Sequence, residues 1–299
     1  MPTDYYSEYK LKWQRNYTMT IYPNASDMKQ SIVISPPMSI YFNIIHATLA
    51  SSNTGTFKII NLDEKIRKQI FHDRTDIGVY KKLIFQAGYG NKLSTIFQGN
   101  IFEAQSYRQR TEWVTEIEAF DGGYGMINGE IHDKIEEGAL YSDVLNKLVK
   151  AMPNIDKNPK IGSFGKQILK ETPLNGNCWS LVRNYAGDNA QICINNEQVI
   201  IMNDDEYVKN KGIEKLDSST GLLDTPRRQD KFITVKMLFE PRMKIGQLIQ
   251  VNSLEKENNE TRKVLGITHN GVISEGVNGQ CTTSAFLSLT LGRGAFVEI

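Results

Sequence analysis

Between Phe57 and Gly122 four strand-like runs follow one another, and they limit the chain more than any other stretch. They are Phe57-Lys-Ile-Ile-Asn-Leu62, Leu83-Ile-Phe-Gln-Ala-Gly-Tyr89, Ile96-Phe-Gln-Gly-Asn-Ile101 and Trp113-Val-Thr-Glu-Ile-Glu-Ala-Phe-Asp-Gly122. Short runs rich in β-branched and aromatic residues, bounded by turn residues, read as paired strands. Trp113, Thr115, Ile117 and Ala119 fall on one face, expected to point inward; Val114, Glu116 and Glu118 fall on the other, expected outward. Gly88-Tyr-Gly-Asn91 is expected to turn the second run into the third. None of the four runs carries a catalytic set, so the segment describes a building part.

The flanks extend the β pattern. Trp13, Tyr17, Met19 and Ile21 alternate as in a half-buried strand, followed by runs at 31–35 and 39–49. Between the first two of the four central runs, Leu62, Ile66 and Ile70 recur every four residues. Asn61 is the expected cap of that helix, which should stop near His72.

The composition then changes. Leu140, Val144, Leu145, Leu148, Val149 and Met152 have helical spacing, and Pro153 ends the pattern. Residues 154–176 look irregular, with a turn of helix expected within 161–171, and Trp179, Val182 and Tyr185 suggest another short helix. Ala190–Ile194 and Gln198–Met202 flank Asn195-Asn-Glu197 as a hairpin. Runs at 231–239, 247–251, 262–269 and 281–291 complete a second β unit. The expected fold is therefore mainly β with an α+β insertion. Its domains are 1–124, a first β unit; 125–224, an α+β middle; and 225–299, a second β unit.

Composition excludes several function classes. With 35 Lys and Arg against 34 Asp and Glu, net charge argues for neither nucleic-acid nor membrane binding. The three cysteines (Cys178, Cys193, Cys281) lack CxxC spacing and read as reduced thiols. The histidines (His46, His72, His132, His269) form no metal motif, so neither metal nor cofactor is expected. The start Met1-Pro-Thr-Asp-Tyr-Tyr is polar, and no apolar run approaches the roughly 20 residues of a membrane span. The chain reads as one that folds where it is made.

Each candidate site has a plainer reading. Gly88-Tyr-Gly90 lacks the third glycine and the helix of a phosphate loop, and Gly292-Arg-Gly294 has too little chain after it. Asp204-Asp205-Glu206 lacks calcium-loop spacing and reads as an exposed turn. Glu116 and Glu118 have a spacing that glycoside hydrolysis permits, but charges on a strand's outer face are usually solvated. His269 with Cys281 could pair as base and nucleophile, yet Cys281 sits in an alternating strand and reads as core. Arg108, Arg110, Arg227, Arg228 and Arg293 lie near strand ends, either solvated or on a protein interface or channel wall. No catalytic, cofactor or metal residue is assigned, and the chain is not expected to be an enzyme. Competing readings are a β-rich receptor- or sugar-binding protein, for which Tyr5, Tyr6 and Tyr89 are the hints, and a cell-wall hydrolase.

The four central runs in this order resemble the first tube-like domain of phage baseplate central hub proteins, related to the hub part of contractile injection system spikes. Thr220-Gly-Leu-Leu-Asp-Thr-Pro226, Val235-Lys-Met-Leu-Phe-Glu-Pro241, Gly246-Gln-Leu-Ile-Gln-Val251 and Val264-Leu-Gly-Ile-Thr-His-Asn-Gly271 resemble the same proteins, and the helix near 140–152 and hairpin at 190–202 match their middle. The resemblance covers most of residues 10–299. It implies two tail-tube-like β-barrel domains and a structural virion protein. It implies a homotrimeric ring that adapts the six-fold tail tube to the three-fold spike. The implied partners are tube, spike and other baseplate proteins, with tape-measure protein and genomic DNA passing through the lumen. The implied place is the tail baseplate, after assembly in the host cytoplasm. Larger hubs carry a C-terminal extension, whereas this chain ends at Ile299, so spike binding is expected from the core domains or a separate protein.

Overall fold

The computed structural model describes residues 14–25, 28–48, 53–76, 80–209, 215–229, 232–255, 259–274, 279–289 and 296–299. In the first part of the chain the elements are β1 (Arg15–Tyr22), β2 (Ile32–Ile34), β3 (Ile40–Ala47), β4 (Thr54–Ile60), α1 (Glu64–Ile70), β5 (Lys81–Tyr89), β6 (Lys92–Gln109) and β7 (Glu112–Phe120). The middle holds α2 (Gly123–Asn128), β8 (Glu130–Ile135), α3 (Tyr141–Ala151), β9 (Lys160–Ile161), β10 (Thr172–Asn177), α4 (Cys178–Ala186), β11 (Gln191–Asn195) and β12 (Gln198–Met202). The last part adds β13 (Glu206–Tyr207), β14 (Lys215–Leu216), β15 (Arg227–Arg228), β16 (Phe232–Leu238), β17 (Leu248–Val251), β18 (Thr261–Ile273), β19 (Cys281–Ser288) and β20 (Val297–Glu298).

The fold is mainly β, and one 13-stranded sheet joins the first and last parts of the chain. Its main path runs β15-β16-β19-β18-β3-β4-β7-β6-β5-β1-β2, with β17 on β18 and β14 on β17 off that path. Strand alternation drives the burial: in β3, Ile40, Phe42 and Ile44 face the core while Tyr41, Asn43 and Ile45 face out. The sheet curls around that core. Phe42 on β3 and Phe57 on β4 meet Phe85 on β5 at ring-centroid distances of 5.3 and 5.1 Å, although β7 and β6 lie between β4 and β5 along the sheet. The Tyr17 hydroxyl on β1 donates to Met38 O at 2.6 Å, and Phe239 from the far end of the sheet enters the same cluster.

β18 joins the two halves. Thr261–Lys263 pairs with β17, and Gly266–Ile273 pairs with β3. A second apolar cluster lies beside it, with Ile233, Val235 and Met237 of β16, Ile249 and Val251 of β17, Val264 and Ile267 of β18, and Ala285 and Leu287 of β19. The middle has its own core, where Val144, Leu145, Leu148 and Val149 of α3 meet Cys178, Trp179 and Val182 of α4.

The alternating positions Tyr17, Met19 and Ile21 are fully buried, and Trp13 lies outside the described residues. α1 and α3 form where the periodicity puts them, but Asp63 caps α1 by accepting from Lys65 N at 2.8 Å. Asn61 is instead left-handed, with φ 57°, and its side-chain oxygen accepts from Trp113 N. No helix forms in 161–171. That stretch supplies the end of β9 and a bridge from Gln167 to Leu140, then leads into β10, which pairs with β8. The local pattern could not show this pairing, because the partner strand lies about forty residues earlier in the chain. The β11–β12 turn is two residues, Asn196 and Glu197, with φ 53° and 65°, one shorter than the expected 195–197 because Asn195 pairs with Gln198 and belongs to β11.

A polar seam fastens this hairpin to the curled sheet. Asp121 is fully buried, and its carboxylate accepts from Asn196 N at 2.5 Å and Glu197 N at 2.7 Å. Glu197 in turn pairs with Lys82 at 2.6 Å and accepts from Gln98 at 2.5 Å. Asn53 donates to Ile194 O at 2.5 Å.

Candidate functional site

Strand register assembles a broad polar face on the outside of the curled sheet. One row crosses six strands: Thr282, Asn270, Asn43, Thr56, Glu118 and Glu103, each opposite the next. The neighbouring row is Val272, Tyr41, Lys58, Glu116 and Gln105. All of these but Thr282 floor a shallow concavity of about 810 Å³, which Arg74 and Tyr107 also line. The period-two rule puts these side chains on one face because their partners Phe42 and Phe57 point into the core.

The charges on this face compensate one another. Lys58 Nζ lies 2.8 Å from Glu116 Oε1, which also accepts from the Tyr107 hydroxyl at 2.9 Å. Arg74 bridges Glu103 at 2.5 Å and Glu118 at 3.2 Å. The Lys58 hydrogen bond holds the Glu116 carboxyl below its ordinary range. A carboxylate so held is a poor proton donor, so Glu116 is not the raised acid that glycoside hydrolysis uses.

Register brings His269 of β18 and Cys281 of β19 to diagonal positions, with His269 opposite Thr283 and Gly271 opposite Cys281, but each makes its own hydrogen bond. Cys281 is buried with Sγ against Val272 O at 3.2 Å, and burial pushes its thiol up, away from the reactive thiolate. His269 Nδ1 sits 2.9 Å from Thr283 Oγ1 and, like His46, is buried; burial pushes His46 down to about 4 and His269 well below its ordinary value. Both are packed neutral rings. Tyr89, a hint of an exposed aromatic, is buried, and its hydroxyl donates to Phe239 O at 2.8 Å. Gly88 lies within β5, where a Cβ would come within 2.0 Å of Lys92 O, and the turn itself falls at Gly90 and Asn91.

Asp204 and Asp205 are exposed, but Glu206 is buried and accepts from Ser163 N at 2.6 Å and Asn203 N at 2.7 Å. The buried Lys263 ammonium donates to Asn203 O, Asp204 O and Glu206 O, each at 2.9 Å. The turn around the acidic triplet, residues 203–206, is thus a carbonyl cradle for a lysine, which the sequence could not show because Lys263 is about sixty residues away. Trp113, expected inward, lies at the strand end with its ring under Arg67 at 3.7 Å, while Val114 is buried. Arg108 and Arg110 are exposed at the β6–β7 tip and Arg227 and Arg228 on the edge strand β15; Arg293, Tyr5 and Tyr6 lie outside the described residues. Among the described residues no group of three or more His, Cys, Asp or Glu side chains could hold a metal ion.

A mainly β chain with one curled sheet, a second apolar cluster across β18 and an inserted α+β middle has the architecture of phage tail proteins. The prophage MuSo2 43 kDa tail protein from Shewanella oneidensis superposes with TM-score 0.60 at 7% identity, over 91% of this chain and 96% of that one. A tail protein from Neisseria meningitidis MC58 gives 0.58 at 11%, over 91% and 96%. The E. coli c3393 protein, a type VI secretion component with structural similarity to T4 tail proteins gp27 and gp5, gives 0.57 at 7%, over 87% and 75%. No curated protein matches the sequence. The family model described as Baseplate hub gp41 matches residues 18–259, and the chain belongs to that family.

Proposed function

We propose that this baseplate hub protein forms a trimeric ring that joins a six-fold tail tube to a three-fold central spike, and that the polar sheet face lines the ring's channel. The family match over residues 18–259 carries the reading. Two apolar clusters on either side of β18 suit a subunit that offers two sheet units to a six-fold neighbour. The polar face suits a channel for DNA and tape-measure protein. It sets three carboxylates against two cations, and both cations, Lys58 and Arg74, are engaged by those carboxylates. Among the described residues such a wall offers a sliding polyanion no unengaged Lys or Arg to neutralise its phosphates, so it is not held. The role is structural and non-enzymatic, and its place is the tail baseplate of the virion.

The test is the mass of the purified protein in solution, alone and with tube and spike proteins. A trimer that caps a six-fold tube is the expected result. A monomer that binds neither, at high concentration, overturns the reading.

A further inference from the structure

The β6–β7 hairpin outgrows its sheet. β5 pairs with β6 only as far as Ile101, and β4 with β7 only as far as Val114, so the arm from 105 to 113 has lost both neighbouring strands. α1 crosses one face of this arm. It leaves β4 at Asn61, whose N–H donates to Trp113 O at 2.7 Å. It arrives at the opposite edge, where His72 and Ala104 exchange backbone bonds of 3.0 and 2.9 Å. Every second residue of a strand directs its N–H and C=O to the same edge. Ser106 and Arg108 therefore aim theirs outward beside α1, and among the described residues they pair across strands only with β7.

The surroundings of this edge carry a recognition chemistry. A notch of about 480 Å³ lies there, lined by Glu64, Arg67, Lys68, Phe71, Ser106 and Trp113. Phe71 is 51% and Trp113 38% exposed. Along α1 and the arm, Lys65, Arg67, Lys68, Arg108 and Arg110 outnumber Asp63, Glu64 and Glu112, which leaves the edge basic; Lys68 pairs with Glu64, and Arg108 and Arg110 have no ion-pair partner among the described residues. Exposed edges invite strand addition, and exposed Trp and Arg are the residue types that anchor interfaces.

We infer that the Ser106–Arg108 edge is a strand-addition site for an extended, acidic segment of a different tail protein. The segment would pair with the outward backbone groups while its side chains reach Phe71, Trp113 and the arginines. A second copy of this chain is the poorer occupant, because of the two end strands of its main sheet path β15 is Arg227-Arg228, which would bring like charges together, and β2 is Ile32-Val33-Ile34, which carries no acid to meet the arginines.

The inference rests on the hub reading, and the test separates the two. Residue-resolved amide exchange is compared between the free protein and assembled tails. The expected result is that the Ser106 and Arg108 amides slow by about 100-fold or more on assembly. Arg108→Pro, which removes an edge-facing N–H without touching the β7 ladder, is expected to lower incorporation into tails by about tenfold, against a smaller loss for Arg108→Ala. A photocrosslinker at Gln109 in assembled tails is expected to mark an acidic, extended segment. Unchanged exchange in tails that contain the protein, an Arg108→Pro variant that is folded and fully incorporated, or a crosslink to a basic segment or to a second copy overturns the inference. Absence of the protein from tails overturns the hub reading instead.

Discussion

Replacing Asp121 with alanine should loosen the α+β middle from the sheet. The carboxylate holds two backbone donors of a turn whose residues, Asn196 and Glu197, both have positive φ, a conformation that costs energy in non-glycine residues. Each buried donor left without a partner costs about 1–3 kcal/mol, or roughly 2–6 kcal/mol for the pair. An offset reduces this. Burial raises the Asp121 carboxyl well above its ordinary range, so its removal returns part of the cost of burying it. The expected loss is about 3 kcal/mol for Asp121→Ala. Asp121→Asn keeps one acceptor and sets an NH2 against the other donor, so it should lose about half as much. Urea unfolding gives the loss, and amide exchange at Asn196 and Glu197 localises it. A cost under about 1 kcal/mol for Asp121→Ala, or an Asp121→Asn variant as unstable as the alanine, would refute the reasoning.

Further outcomes are checked in the same way. Phe85 touches Tyr17, Phe42 and Phe57, so Phe85→Ala should cost about 3–5 kcal/mol by urea unfolding, and a loss below that range would mean the curled core collapses around the gap. Glu116→Gln and Glu118→Gln should each cost under about 1 kcal/mol and leave the yield of soluble protein unchanged, because their ion pairs lie on an exposed face. His46 takes up a proton near 6.5 when unfolded but only near 4 when folded, so between those values the unfolded state binds more protons and stability rises with pH. That contribution, about 3 kcal/mol, is lost as pH falls from 6.5 to 4. Asp121 acts in the opposite sense, so the comparison is with His46→Gln, whose unfolding free energy should depend less on pH in this window; an equal slope would exclude His46 as the cause.

The polar face was half legible in advance. Alternation in Glu112–Phe120 put Glu116 and Glu118 outward, and there they are. Their neighbours Lys58, Arg74, Asn43 and Asn270 carried no local sign of belonging with them, because register between distant strands assembles the rows. Trp113 failed the alternation because the face it should have filled ends where β4 does, and Arg67 of α1 covers it instead.

The sequence by itself determined the local elements: strands where apolar residues alternate, α1 and α3 where they recur at helical spacing, and a hairpin turn within residues 195–197. Those follow from backbone sterics and from which side chains avoid water, both local properties. Only the tertiary structure decided that β18 pairs with β3, fusing the two β units into one sheet, and that Lys263 and Asp121 are buried against distant backbone groups. A buried charge or an unpaired strand edge is satisfied by whatever group the fold brings to it, and sequence distance does not limit that choice.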